Sequence, residues 1–88
     1  MNNGHGNVVS LTISSTVAGE LTATFALAQP LAAVKKEALA RLKLDPSKAD
    51  AYVLLWNGTR LNESATVAEA GLPDGAVLLL EPVQPEVI

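Results

Sequence analysis

LLWNGTRLNESATVAEAGLPDGAVLLL, residues 54–80, strings together local signals whose order decides the fold. Asn57-Gly58 is the residue pair a two-residue type I′ hairpin favours, because both central positions take a positive φ. It joins a strand, Tyr52 to Trp56, to a short one around Arg60-Leu61. Thr66-x-x-Glu69 fits a capping box, in which each side chain accepts from the other residue's backbone N–H. That predicts one or two helical turns, stopped near Gly71. Pro73-Asp74-Gly75 predicts a turn. Ala76 to Glu81 then reads as a last strand that buries Leu78 and Leu80 beside Leu54 and Trp56.

The pattern extends towards the amino terminus. From Val9 to Ile13 apolar and polar residues alternate, as they do again where Leu21, Ala23, Phe25 and Leu27 oppose Thr22, Thr24 and Ala26. These runs predict an antiparallel hairpin, with Gly19 in its loop where a positive φ is needed. Pro30 suits the first turn of a helix, since its missing N–H costs nothing there. At about 100° per residue, Leu31, Val34, Ala38 and Leu42 gather on one face, and Lys36, Glu37, Ala40 and Lys43 lie away from it. Lys35 falls close to the apolar stripe, so it must snorkel or find an acid. Asp45-Pro46 is expected to end the helix.

Hairpin, helix, strand, short strand, short helix, strand is most simply satisfied by one mixed sheet wrapped around one helix, an α+β fold. Eighty-eight residues allow one domain and one small core. The expected divisions are a flexible lead over 1–7, a folded domain over 8–81 and an extended, proline-containing tail over 82–88. Without cysteine there is no disulfide, thiolate nucleophile or iron–sulfur cluster. His5 has no second ligand at metal-binding spacing, so neither metal nor cofactor is expected. A net charge of −3 with six basic residues argues against nucleic acid. No apolar stretch approaches a signal segment or a membrane span, which points to a soluble, cytoplasmic chain with no membrane partner.

The same residues resemble the ubiquitin-like, β-grasp family. Leu54-Leu55-Trp56 stands where ubiquitin has Leu-Ile-Phe, Asn57-Gly58 at its Ala-Gly turn, Leu61 at its following leucine, and Thr66 with Glu69 at its Thr-x-x-Asp cap. Leu72, Leu78 and Leu80 fall on three of its core positions. The hairpin and the helix spacing fit too, with about three extra residues before Tyr52. The resemblance implies a β-grasp sheet of four to five strands on one helix. It also implies a Lys35 to Glu63 ion pair of structural role, since those positions match ubiquitin's least exposed lysine and its acid partner.

For function, the resemblance implies protein partners that dock on the open face of the sheet. Leu55 takes the place of the isoleucine at the centre of ubiquitin's patch. By alternation Val53, Val77, Leu79 and Glu81 point outward beside it. Val53, Leu55 and Leu79 make a candidate patch, flanked by Thr59 and Arg60; burial of the patch in a homo-oligomer is the competing reading. Leu79 and Glu81 replace a histidine and an apolar residue of ubiquitin, so ordinary ubiquitin-binding modules are not the expected readers. Scattered carboxylates and the lack of a phosphate loop predict no enzyme and no small-molecule substrate.

Two roles follow. The first is a protein modifier of a bacterial ubiquitin-like conjugation system, served by activating and conjugating enzymes. Attachment would go through the tail PVQPEVI, which lacks the family's Gly-Gly and implies trimming by a peptidase or an activating enzyme of different requirements. The second is a non-covalent adaptor or scaffold, as in a secretion system. The family's sulfur carriers rank below both, because they need the terminal Gly-Gly.

Overall fold

Residues 7–83, which the computed structural model of the chain describes, form a mixed five-stranded sheet with a helix laid across one side. The strands are β1 (Val8–Ser15), β2 (Gly19–Ala26), β3 (Tyr52–Trp56), β4 (Thr59–Arg60) and β5 (Ala76–Pro82), and the helix is α1 (Leu31–Arg41). Their spatial order is β2-β1-β5-β3-β4. β5, the last in sequence, thus lies in the middle, parallel to β1 and antiparallel to β3. The architecture is the α+β arrangement read from the sequence. Residues 1–6, including His5 and most of the lead, and residues 84–88 of the tail lie outside the described residues.

Alternation sets what each strand buries. On β1, Leu11 and Ile13 are fully enclosed against α1, and Ser10, Thr12 and Ser14 are half-buried on the other side. Leu54, Leu78 and Leu80 complete the floor on which Leu31, Val34, Ala38 and Leu39 rest. Leu39, outside the expected helical stripe, is fully buried, and Leu42, inside it, is only half-buried. The edge strand β2 sends a single buried side chain into this core, Phe25.

The ends of α1 differ from expectation. Pro30 stands just before the first turn with extended φ and ψ of −65° and 146°, and no side chain caps the helix. The amides of Leu31 and Ala32 donate instead to the carbonyls of Ala65 (2.9 Å) and Glu63 (3.1 Å). The 63–65 loop therefore does the capping, satisfying N–H groups that every helix start leaves open. At the other end Leu44 N–H reaches the Leu39 carbonyl (2.7 Å) and Lys43 N–H the Ala40 carbonyl (3.1 Å), with Lys43 at φ 64°. This is a Schellman closure, and it ends the helix ahead of Asp45-Pro46.

Asp45 and Pro46 begin a 3-10 helix, Pro46–Ala51, which accounts for the extra residues before β3. Its apolar content is slight, with only Ala49 buried, so no periodicity announces it. Asp45 Oδ1 accepts from the Ser47 hydroxyl (2.7 Å) and the Ser47 amide (2.9 Å). The hydroxyl first, then the amide, holds the carboxyl below its ordinary 3.8. A lowered folded value means that the stabilisation is complete above the unfolded pKa and disappears as pH falls through the folded one. The Ser47 amide resonance is therefore expected to titrate with an inflection below 3.8. An inflection at or above that value would show that the bond is absent in solution.

Thr66 to Gly71 takes the shorter of the two expected lengths. The reciprocal capping bonds are present, Thr66 N to Glu69 Oε1 at 2.9 Å and Glu69 N to Thr66 Oγ1 at 3.1 Å. They open a single helical turn, in which Ala70 N donates to the Thr66 carbonyl at 3.0 Å and Gly71 N to the Ala68 carbonyl at 3.0 Å. Val67 and Ala68 donate their amides to the carbonyls of Gln29 and Leu27, each at 3.0 Å, and so tie the turn to the β2–α1 connection. Gly71 at φ 74° then leads the chain away. Asn57 and Gly58 take φ of 53° and 78°, as the type I′ turn demands. Asp74 Oδ1 accepts from Ser10 N at 2.7 Å and pins the start of β5 to β1. At its far end β5 takes in Pro82, opposite Tyr52, so the sheet runs one residue past Glu81 into the stretch assigned to the tail.

Candidate protein-docking face

Strand pairing builds the side of the sheet that α1 leaves open. Leu79 of β5 lies between Leu55 of β3 and Ser14 of β1. Arg60 of β4 faces Leu55, and Glu20 of β2 faces Ser14. One row therefore runs Glu20, Ser14, Leu79, Leu55, Arg60, apolar at its centre and oppositely charged at its ends. Val77 lies beside Thr12 in the neighbouring row, whose Thr12 and Thr22 hydroxyls are 2.9 Å apart. Val77 is 55% exposed and Leu79 38%, while Leu55 is half-buried.

Two of the expected patch residues are placed differently. Val53 pairs with Glu81 on this side but retains only 9% exposure, so alternation gave its direction and overstated its surface. Thr59 faces Trp56, and by that register belongs to the helix-facing side, not beside Arg60. Val77 is the more exposed apolar member of the patch. Glu20 joins the row through the β1–β2 register, which no short-range pattern reveals.

Behind the sheet, Lys35 and Glu63 are brought together. Lys35 Nζ donates to Glu63 Oε1 (2.7 Å), Glu63 Oε2 (2.8 Å) and the Tyr52 carbonyl (2.8 Å). Its side chain is 4% exposed, and that of Glu63 27%. All three ammonium donors are thus used, joining α1, β3 and the 63–65 loop. The pair lies in the scaffold and presents nothing to the open face.

Among the described residues, no three His, Cys, Asp or Glu side chains gather as a metal site would need, and no helix is long and apolar enough to cross a membrane. The open face offers shape, apolar surface and the charges of Glu20, Glu81 and Arg60.

No family model and no curated protein matches the sequence. Solved structures do match. Ubiquitin of Caldiarchaeum subterraneum is 24% identical, with a TM-score of 0.74 over 91% of this chain and 99% of its own. A designed protein based on ubiquitin is 16% identical, with a TM-score of 0.76 over 91% of this chain and 94% of its own. A protein described as a molecular mimic of SUMO that promotes DNA repair is 15% identical, with a TM-score of 0.78 over 84% of this chain and 90% of its own. At these identities the likeness is one of fold.

Proposed function

We propose that this chain, whose fold is the ubiquitin-like β-grasp, is a non-enzymatic protein modifier that works in the cytoplasm in a bacterial conjugation system. Enzymes of activation and conjugation, and a trimming peptidase, are its partners, and its attachment runs through the tail assigned to 82–88. The observation that supports this reading is the open face, where Leu55, Leu79 and Val77 form an apolar centre that the fold itself leaves uncovered. Contiguous apolar surface on a small domain marks a docking site.

The test is the intact mass of the chain recovered from its native cells, together with that of the Leu55→Asp, Leu79→Asp double variant. A fraction joined covalently to another protein is expected for the native sequence. The double variant is expected to lower that fraction at least roughly tenfold, because it sets two carboxylates at the centre of the contact. An unchanged mass, with or without the neighbouring gene products, overturns the modifier and leaves a non-covalent adaptor using the same face. Undiminished attachment of a folded double variant overturns the patch.

A further inference from the structure

We infer that β2 is a self-pairing edge, through which two copies of this chain join their sheets into one. β2 is the outermost strand on its side. Leu27 N donates to Asn7 O at 2.8 Å, and the register continues as Val8 opposite Ala26. In an antiparallel ladder residues turn their backbone groups inward and outward alternately. Phe25, Ala23 and Leu21 therefore bond to β1, and Thr24, Thr22 and Glu20 turn their N–H and C=O groups outward. Among the described residues no backbone bond reaches these three from outside.

Proteins guard such an edge with lysine, proline, a bulge or brevity. The opposite edge, β4, is two residues long and carries Arg60. β2 has eight residues, neither lysine nor proline, and an unbroken register with β1. Its one charge, Glu20, lies near the start of the strand and leaves the stretch from Leu21 to Phe25 uncharged.

The self-complementary arrangement is an antiparallel two-fold centred on Thr22. It pairs Thr22 with Thr22 of the second copy, and Glu20 with Thr24 of the second copy, each pair exchanging two backbone bonds. This register keeps the two Glu20 carboxylates out of opposition, and it sets threonines side by side, a favourable cross-strand neighbour. On the helix side Leu21 meets Ala23 of the second copy, and both are half-buried in the single chain. Each copy has one such edge, so assembly closes at two. The contact is small, which places the dimer in the weak, concentration-dependent class.

The test follows the purified full chain from micromolar to millimolar concentration by amide hydrogen exchange and sedimentation. The amides of Glu20, Thr22 and Thr24 are expected to become protected as concentration rises, in step with a doubling of mass. Thr24→Pro removes an outward N–H without touching the β1 ladder. It is expected to weaken association at least roughly tenfold, since two bonds per dimer are lost. Leu79→Asp, on the open face, is expected to leave association unchanged, so this inference and the docking patch can fail separately. A monomeric mass with equally fast exchange of the three amides at every concentration overturns the inference, as does dimerisation abolished by Leu79→Asp and indifferent to Thr24→Pro. The native-chain exchange measurement decides the matter even if Thr24→Pro fails to fold.

Discussion

Glu63→Ala is expected to lower the unfolding free energy by about 3 kcal/mol or more, the cost of leaving a buried charge without its partner. The Lys35 side chain is 4% exposed, so water cannot replace the carboxylate that takes two of its three donors. Only the Tyr52 carbonyl would remain. Lys35→Met is expected to cost less, about 1–2 kcal/mol, because Glu63 is 27% exposed and solvent can reach it once freed. The remaining loss is that of the Tyr52 carbonyl's partner. Lys35→Met combined with Glu63→Gln is expected to be more stable than Glu63→Ala alone. Urea unfolding of the three variants measures the order. Equal losses for the two single variants would show that burial of the lysine is not what makes the pair matter.

Phe25→Ala is expected to cost about 3–5 kcal/mol, the range for emptying an aromatic site in a core. That is a large part of the stability of so small a domain, and it corresponds to a fall in Tm of roughly 15 °C or more. The loss is expected to be local first. Phe25 is the one buried side chain of β2, whose other seven residues are exposed or half-buried. With the anchor gone, the strand keeps its ladder to β1 and little else. Hydrogen exchange is expected to show the Leu21 and Ala23 amides opening before those of β3 and β5. Simultaneous opening of all strands would mean that β2 is held by more than Phe25.

Short-range chemistry was legible where it acts alone. Asn57-Gly58 dictates its turn, Thr66 and Glu69 find each other across three residues, and the alternation of β1 follows from burial on one side. The Lys35–Glu63 pairing was legible for another reason, a positional resemblance, since nothing between residues 35 and 63 encodes it. Other features depend on distant backbone partners or on depth of burial, which no short-range pattern carries. Thr66–Gly71 makes its one turn, and the amides of Val67 and Ala68 that a helix start leaves open go to Gln29 and Leu27, partners no local signal names. α1 starts without a capping side chain because Glu63 and Ala65 supply the carbonyls. Pro46–Ala51 buries too little to leave a pattern. At the open face, alternation gave direction without depth, so Val53 was counted as surface. The side that Thr59 takes depends on its pairing with Trp56 across the turn.

The central place of β5 governs when this chain can fold during its own synthesis. Leu11 finds its neighbour Ala76, and Leu54 its neighbour Leu80, only in β5, which follows every other described strand in sequence. Until then β1 and β3 have a gap between them, and the hairpin, the helix and β3 cannot form one sheet. The loop that caps α1 also arrives late. A nascent chain stalled before Ala76 is thus a set of exposed apolar strands with no partial domain to shelter them, a substrate for chaperones and proteases. The sheet closes only when β5 is free to enter it.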